Sequence, residues 1–373
     1  MIDNKYNLNS LIEDLHSRKD IALFVGAGIN ASKNLFLSWN NLMDYLFDIT
    51  LHYVSTERPI SADVHAALKK AWTIPKTMNE RTNEWSKLYK SAENEFNMLI
   101  KASIVKKVLK NGYIPSIQSF LYRQCNKEVL NKAFHEHYNV EQQENDPNVP
   151  FHTLYQVAKM IMLTPAIKVV VSYNYDNFLT DAINIMYAEP EFFFKNEELD
   201  FVKENRRKVE DISGEQYECN IYNDMVPVYH IHGFIPPPSM PLPKEDNDIV
   251  LSLDEFYEVS RNSYSWQTNT PMHYLSHFTC LFAGLSFTDI NLQRMIYYAG
   301  KSGSNKNKYY YLCANKKNEN NNDYAAAEQV LKGLKDMFMN DYGLTLINDN
   351  KSYYELYKNL GNIIVDNLKK QKK

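Results

Sequence analysis

Residues 21–30 read "IALFVGAGIN", an apolar run that stops at a glycine turn. Five consecutive apolar residues have the length of a buried β-strand. Gly26 and Gly28 follow at once, and Ala31 completes a G-x-G-x-x-A spacing. Small residues there let the backbone approach a pyrophosphate, and a helix after them favours an anion at its N-terminus. The alternative interpretation is a tight strand-to-helix turn without a ligand.

Further apolar runs along the chain also end in glycine or polar residues. They read "VVVSYNYDNF" (169–178), "VPVYHIHGFI" (226–235), "SHFTCLFAGLSFTD" (276–289), "KYYYLCAN" (308–315) and "GLTLIN" (343–348). Between them, apolar residues recur at helical spacing. Strands that alternate with helices predict an α/β fold with a Rossmann-like, doubly wound parallel sheet. Ligands of such sheets bind outside the carboxyl ends of the strands, so the polar endings are expected at one edge.

The region from about 50 to 150 shows helical spacing without a convincing strand. It predicts a helical insertion within one domain that spans residues 1–373. Helices are also predicted over residues 8–19, 177–186, 324–340 and the last 20 residues. The charged segment 190–220 is expected to be irregular, and "IVLSLDEFYEVS" (249–260) is expected to be a short strand followed by the start of a helix.

Composition narrows the class of protein. The chain has 373 residues, of which 44% are hydrophobic and 23% charged, as in an ordinary globular protein. A net charge of −4 does not indicate direct nucleic-acid binding. No run reaches the roughly 18 apolar residues of a membrane span, and the N-terminus lacks the pattern of a signal peptide. We therefore expect a cytoplasmic protein without membrane contact.

The cysteines and histidines do not suggest a metal site. The four cysteines, Cys125, Cys219, Cys280 and Cys313, are widely scattered and form no C-x-x-C pair. His230 and His232 lie two residues apart, but nothing nearby supplies a third ligand at a recognisable spacing. The sequence predicts neither a zinc knuckle nor a disulfide framework.

The segment "SYNYDN" places Asn174 and Asp176 at a strand end. An amide and a carboxylate two residues apart can point to the same side. Asn can orient a sugar hydroxyl or a water molecule, and Asp can bond an amide or a hydroxyl. The alternative is an Asx-turn or a helix N-cap, which uses the same residue types.

The segment "YHIHG" ends another strand. His232 is followed by Gly233, and an imidazole at such a position suits general base catalysis because its pKa lies near neutrality. We expect His232 to be catalytic and His230 to be a core or supporting residue. The alternative is that both histidines are structural.

The segment "FAGLSFTDINL" is the fourth strand ending. Gly284 and Ser286 could meet a ribose or an adenine, and Asp289 could cap the next helix. The motif is not a G-x-S-x-G nucleophile elbow, because Thr288 stands at the last glycine position. This argues against an α/β-hydrolase. The alternative is a buried strand with an ordinary helix cap.

In this order the four motifs resemble the signatures of the sirtuin family. "GAGIN", "SYNYD", "IHG" and "GLSFTD" correspond to GAG(I/V)(S/N), T-x-N-x-D, HG and G-x-S-x-x-D, and the resemblance runs from about residue 11 to 365. Ser172 stands where the family usually has Thr, which keeps the hydroxyl. The resemblance implies a sirtuin-type fold.

Within the family, the chain looks closer to bacterial sirtuin-like NAD⁺ hydrolases of antiphage systems, of the sirtuin–HerA or Thoeris-effector type, than to deacylases. Deacylase sirtuins usually carry a four-cysteine zinc module after the His motif, and this sequence has no such cysteines. The resemblance implies NAD⁺ as substrate, nicotinamide and ADP-ribose as products, and no metal.

The resemblance also implies roles for individual residues. Asn174 would hold the nicotinamide ribose or the attacking water, and Asp176 would contact the carboxamide or order the site. His232 would take a proton from a ribose hydroxyl or from water. The residues expected to bind the rest of the cofactor are Gly26, Ala27, Gly28 and Asn30 for the diphosphate and adjoining ribose, Gly284, Ser286 and Asn291 for the adenosine half, and Ser172.

Such an enzyme would be gated, and the resemblance implies a homo-oligomer with a HerA-type ATPase or a phage-derived activator as partner. Two other functions stay open. One is an NAD-dependent protein deacylase or ADP-ribosyltransferase, with the Pro-rich loop 236–243 lining a peptide groove. The other is a non-enzymatic nucleotide-binding or scaffold subunit.

Overall fold

The computed structural model describes most of the chain. The described residues are 10–15, 20–31, 37–57, 95–138, 149–214, 225–242, 249–262, 264–287, 289–302, 308–314, 334, 337–339, 341–349 and 353–371.

Within these ranges the strands form one seven-stranded sheet in which every pairing is parallel. The strands are β1 (Ile21–Val25), β2 (Ile167–Ser172), β3 (Lys208–Ile212), β4 (Met225–His230), β5 (Thr279–Ala283), β6 (Tyr309–Ala314) and β7 (Leu344–Asp349). Their order across the sheet is β3-β4-β2-β1-β5-β6-β7. The predicted α/β class with a Rossmann-like parallel sheet is confirmed.

Helices connect these strands. In chain order they are α1 (Trp39–Glu57), α2 (Met98–Leu109), α3 (Tyr113–Gln124), α4 (Lys127–His137), α5 (His152–Leu163), α6 (Phe178–Ala188), α7 (Pro190–Phe193), α8 (Asn196–Glu204), α9 (Leu253–Arg261), α10 (Trp266–His277), α11 (Ile290–Ser302) and α12 (Tyr353–Gln371). Residues 10–15 are also helical. Most of the helix predicted over 324–340 and the start of the one predicted at 8 lie outside the described residues.

Contacts divide the chain into two compact units. The sheet unit comprises Met1–Phe36, Cys125–Phe234 and Asn262–Lys373, and the helical unit comprises Leu37–Gln124 and Ile235–Arg261. The single domain over residues 1–373 with an insertion at 50–150 stays a prediction.

The neighbouring strands β1 and β5, near the centre of the sheet, are buried on both faces. Every residue of β1 and of β5 is buried, so neither strand shows the alternation of a half-exposed strand. Phe24 and Phe282 are register partners on these neighbouring strands, with ring centroids 4.9 Å apart. This apolar contact stabilises the register of the two strands.

The register brings four strand ends level. Val25 at the end of β1 pairs with Ser172 on β2 and with Ala283 on β5, and Ser172 pairs with His230 on β4. From β1 the chain builds β2, β4 and β3 on one side, and β5, β6 and β7 on the other. The switch point of such a sheet is where a ligand crevice opens.

The charged segment 190–220 is more regular than the sequence predicted. It contains α7, α8 and β3. β3 lies at the edge of the sheet, where Lys208 and Glu210 are exposed while Val209 between them is buried. An edge strand tolerates such charges, which hid it from an interpretation based on apolar runs.

The short strand predicted at the start of 249–260 is wrong. Ile249, Val250 and Leu251 are buried but irregular. The Glu255 carboxylate accepts hydrogen bonds from the backbone N–H groups of Leu251 (2.9 Å) and Ser252 (2.7 Å). These donors are therefore used to start α9, in the manner of a capping box.

In the helical unit, the segment around α9 is anchored to α2. The Ser103 hydroxyl accepts the backbone N–H of Leu253 at 2.9 Å, and Lys106 lies 2.7 Å from Glu255. The start of the Pro-rich loop is held by α3, since the Tyr122 hydroxyl donates to the Ile235 carbonyl at 2.8 Å.

A buried arginine secures the connection between α5 and β2. The guanidinium of Arg207 donates to the backbone carbonyls of Ile161 and Thr164, at the end of α5, and of Ile167, the first residue of β2. Carbonyls at a helix C-terminus have no partner within the helix. Arg207 satisfies them and so fixes where β2 begins.

Two glycine turns at the switch point touch each other. The Gly28 N–H donates to the Gly284 carbonyl at 2.9 Å. A Cβ on Gly28 would lie 2.7 Å from that same oxygen, and Gly284 has a left-handed φ of +66°. Both positions therefore require glycine for the turns to meet.

We predict that Gly28→Ala lowers the free energy of unfolding by about 1–3 kcal/mol, because the methyl group overpacks this contact. Gly300→Ala, near the end of α11, is the matched control: its Cβ would have only an ordinary 3.8 Å contact. Alanine there is expected to be neutral or to stabilise by up to about 1 kcal/mol. Urea unfolding measures both; equal stabilities of the two variants would contradict the prediction.

Candidate functional site

The loops after β1, β2, β4 and β5 meet at the level edge of the sheet unit. The contacts that join them are Gly28 to Gly284, Asn30 to Asp176, and His232 to Asp289. Four motifs that are far apart in the sequence thus form one polar site, as the parallel sheet predicted.

The first loop differs from the predicted form. After Gly26 the chain makes a 3-10 turn over Ala27–Asn30, and the first described α-helix after it begins at Trp39. Among the described residues, a 3-10 turn and not an α-helix therefore follows the glycines directly. Asn30, the last residue of this turn, is 2% exposed. The binding of a pyrophosphate by this loop stays a prediction.

Asn30 and Asp176 are joined by their side chains. The Asn30 amide donates to one carboxylate oxygen of Asp176 at 3.0 Å, and the backbone N–H of Phe178 donates to the other at 3.2 Å. Asp176 thus also supports the start of α6, as the alternative interpretation expected. Burial raises the pKa of Asp176 to about 6, although these hydrogen bonds and the charge of His230 oppose the rise.

Hydrogen bonds to its backbone N–H and carbonyl fix Asn174 in place, so its side chain is not needed to position the residue. Its N–H donates to the Ser172 hydroxyl at 3.2 Å, and its carbonyl accepts a hydrogen bond from His230 Nδ1 at 2.8 Å. The side-chain oxygens Oδ1 of Asn174 and of Asn30 are both buried, and neither accepts a hydrogen bond from any described group. An unsatisfied buried acceptor costs about 1–3 kcal/mol. Both oxygens lie at the same edge of the sheet, where a water molecule or a ligand can supply the donors.

His230 supports the backbone of Asn174, and its surroundings favour the charged form of its ring. Its Nδ1 faces the Asn174 carbonyl, and its Nε2 lies 2.9 Å from the Asp211 carboxylate on β3. Both partners only accept, so both ring nitrogens carry protons. Burial lowers the pKa of His230, but its hydrogen bond to Asp211 and that carboxylate's charge outweigh burial, so the pKa is raised. The His230 contacts are those of a supporting residue.

His232 lies in the turn that follows β4, one residue before Gly233. Its ring stands edge-on to the ring of Tyr173, with centroids 4.9 Å apart. Its Nε2 lies 2.9 Å from Oδ2 of Asp289, and the imidazole side chain is 14% exposed. The expected catalytic histidine therefore reaches the site edge with a carboxylate partner.

Sequence reasoning missed the partnership of Asp289 with His232. It expected Asp289 to cap a helix, and the Asp289 carboxylate does accept the N–H groups of Asn291 (2.7 Å) and Leu292 (3.0 Å) at the start of α11. Burial alone would raise the pKa of Asp289, but the bonds to His232 and to these N–H groups lower it below its usual value. The S-x-x-D spacing of Ser286 and Asp289 was the sequence feature that could have drawn attention to Asp289 as a site residue.

The remaining predicted residues lie around the fourth loop. Gly284 touches the first loop, Ser286 is exposed on the loop after β5, and Asn291 is buried at the start of α11. The roles assigned to them, and to Gly26, Ala27, Gly28 and Ser172, stay predictions.

The described residues contain no group of three or more His, Cys, Asp or Glu side chains arranged to hold a metal ion. Among the helices that the structure describes, none combines the length and the apolar character that a membrane crossing requires.

Fold and site together define an α/β protein of the Rossmann-like class, with a buried amide–carboxylate–imidazole site at the switch-point edge. Residues 168–347 match the family model described as "SIR2-like domain". The chain thus carries a SIR2-like domain, and its sirtuin-like character is confirmed. No curated protein matches the chain.

The matched segment contains Asn174, Asp176, His232 and Asp289, whereas the glycine loop lies before it. SIR2-like domains belong to a family of typically NAD-dependent enzymes. The match therefore supports NAD-related chemistry at this edge.

We predict that Asp176 makes folding less favourable as the pH rises. Its native pKa is about 6, above the ordinary value of 3.8, so the native state binds more protons than the unfolded state between these values. Its contribution is most favourable below the lower value and is lost as the pH passes 6. The free energy of unfolding of Asp176→Asn, relative to the natural chain, should rise by roughly 1–2 kcal/mol from pH 5 to pH 8.

Asp254→Asn provides a control that should not vary over this pH range. Burial raises the pKa of Asp254, but its hydrogen bond to Lys106 and the charge of that lysine help to lower the pKa below its usual value. The Asp254 carboxylate is therefore ionised in both the native and the unfolded state from pH 5 to pH 8, and the difference for Asp254→Asn should stay flat there. Urea unfolding at several pH values measures both, and a flat difference for Asp176→Asn would sink the prediction.

Proposed function

We propose that this chain is an NAD⁺ glycohydrolase that cleaves NAD⁺ into nicotinamide and ADP-ribose. The carrying observation is the pair of buried side-chain oxygens, on Asn30 and Asn174, that accept no hydrogen bond from the described residues. Unfilled acceptors need donors. The ribose hydroxyls and the carboxamide N–H₂ of NAD⁺ are donors, so the site fits this substrate.

The bond that breaks joins the nicotinamide ring to its ribose. The ring is cationic in NAD⁺ and leaves as a neutral molecule, so no strong acid is needed. Positive charge develops on the ribose, and prearranged dipoles and carboxylates lower such a barrier. Asn174, whose backbone is held by His230 and Ser172, would orient the ribose or the attacking water. Asp176 would contact the carboxamide and stabilise the developing charge.

His232 is the general base of this proposal. It takes a proton from the attacking water or from a ribose hydroxyl, as its position at the site edge and its carboxylate partner allow. None of these steps requires a covalent protein nucleophile.

We further propose that the activity is gated, because unrestrained consumption of NAD⁺ in the cytoplasm would be toxic. The resemblance to antiphage NAD⁺ hydrolases supports an abortive-infection role, with a homo-oligomer and a HerA-type ATPase or a phage-derived component as the trigger. Purified chain that is fully active alone, in every oligomeric state, would contradict the gate.

We predict that the purified chain releases nicotinamide from NAD⁺ without a peptide, alone or with a candidate partner. Asn174→Ala and His232→Ala should each reduce the rate about 100-fold or more, as loss of an electrostatic or acid–base group does. Chromatography of nicotinamide and ADP-ribose measures this. His273→Ala, which removes an exposed histidine on α10, should keep the full rate.

Other outcomes separate the competing functions. Nicotinamide release that requires an acyl-lysine peptide would favour a deacylase, and ADP-ribose attached to protein would favour a transferase. NAD⁺ binding that survives His232→Ala, without turnover by the natural chain under any condition, would indicate a nucleotide-binding subunit.

A further inference from the structure

We propose that Asp289 is a positioning residue that sets the tautomer of His232 and thereby makes Nδ1 the nitrogen that receives the proton. The catalytic part of this inference rests on the proposed NAD⁺ hydrolysis. The tautomer itself can be measured without any substrate.

The Asp289 carboxylate is fixed before it meets the imidazole. One oxygen, Oδ1, accepts the backbone N–H groups of Asn291 at 2.7 Å and Leu292 at 3.0 Å. Two donors from the first turn of α11 leave the carboxylate little freedom to rotate. The other oxygen, Oδ2, therefore has a defined position, 2.9 Å from Nε2 of His232.

The position of Oδ2 determines where the histidine proton lies. An ionised carboxylate only accepts hydrogen bonds, so Nε2 of His232 must be the donor. In the neutral imidazole the other nitrogen, Nδ1, then carries the lone pair. The low pKa of Asp289 supports an ionised partner. A carboxylate that orients a catalytic imidazole is also a known arrangement in hydrolases.

The imidazole itself has few orientations open to it. The backbone around it is tied down by the Ile231 N–H, which donates to the Ser172 carbonyl, and by the Gly233 N–H, which donates to the His230 carbonyl, both at 2.9 Å. Gly233 takes a left-handed φ of +93° in this turn. Tyr173 lies edge-on to the ring. A ring held by its backbone, by an aromatic neighbour and by a carboxylate presents one nitrogen consistently.

The neighbouring histidine shows what this arrangement avoids. His230 meets an acceptor at both nitrogens, the Asn174 carbonyl and the Asp211 carboxylate. Acceptors at both nitrogens favour the doubly protonated form, which has no lone pair with which to act as a base. Two histidines two residues apart are thus given different tasks by the carboxylates they face.

The proton balance of the step is simple. A water oxygen forms a bond to the ribose carbon as the bond to the nicotinamide nitrogen breaks, and the electron pair of that bond leaves with nicotinamide. The water proton passes to Nδ1 of His232. The resulting imidazolium is stabilised by Asp289 and later releases its proton to solvent.

Two substitutions of Asp289 separate its effect on His232 from its effect on the helix. Asparagine and serine are both good N-cap residues, so both should preserve the start of α11. The asparagine amide can donate to Nε2, which would shift the proton to Nδ1 and give the wrong tautomer. Serine is too short to reach the imidazole, so the residue at position 289 would no longer favour a proton on either ring nitrogen.

The first measurement is ¹⁵N NMR of the histidine imidazoles in the full chain without NAD⁺, with the His232 signals assigned by their loss in His232→Gln. We expect the Nε2–H tautomer in the natural chain and the Nδ1–H tautomer in Asp289→Asn. An Nδ1–H tautomer in the natural chain, or an unchanged tautomer in a folded Asp289→Asn, would overturn the proposal.

The second measurement is the pH profile of nicotinamide release. Asp289→Asn should lower kcat by about 100-fold to 10,000-fold with little change in KM, as a wrong histidine tautomer does in the Ser-His-Asp triad of serine proteases. Asp289→Ser should lower kcat less and shift the acidic limb of the profile, on which a general base loses its function by protonation. Equal kcat and profile in all three chains would overturn the catalytic part.

The two measurements distinguish this inference from the proposed function. A tautomer that switches in Asp289→Asn, in a chain that never releases nicotinamide, would support the positioning contact and reject the hydrolase. If Asp289→Asn fails to fold, the Asp289→Ser chain decides: retention of a pure Nε2–H tautomer there would overturn the proposal.

Discussion

The common register of four parallel strands is the constraint on which the rest of the structure depends. Val25, Ser172, Ala283 and His230 are linked as partners across β1, β2, β5 and β4. Because parallel neighbours end at the same edge, each motif begins where its neighbour begins, and short loops suffice to bring them together. The register is held by apolar side chains on both faces of the strands, so the polar edge is built on a rigid, dry support.

The site concentrates polar groups whose burial is unfavourable. Asp176 is nearly fully buried and resists ionisation, and the side-chain oxygens of Asn30 and Asn174 accept no hydrogen bond from the described residues. His230 and Arg207 are also buried, but their donors are matched with acceptors. The satisfied pairs stabilise the frame, whereas the unsatisfied oxygens lie where a substrate would complete them. Functional sites commonly contain buried polar groups without partners, which lower the stability of the fold.

Much of the architecture was predictable from local pattern. The apolar runs of β1 and β5 are fully buried strands, and β2 and β4 are buried at all but one residue each, which makes these four strands the easiest to recognise. The edge strand β3 was missed because its charged residues hide a single buried Val209. The segment at Ile249 was taken for a strand because it is apolar, but Glu255 draws its neighbouring N–H groups into a helix cap. Hydrogen-bond competition of this kind does not appear in a hydrophobic pattern.

By itself the sequence determined the α/β class, the sirtuin-like motifs and their order, because these depend on residue type and spacing along the chain. Only the tertiary structure decided which polar groups meet. The pairing of His232 with Asp289, of Asn30 with Asp176, and of His230 with the Asn174 carbonyl each joins loops from different strands. Such contacts depend on the register between strands and on the direction of each turn, and these are set by packing across the sheet.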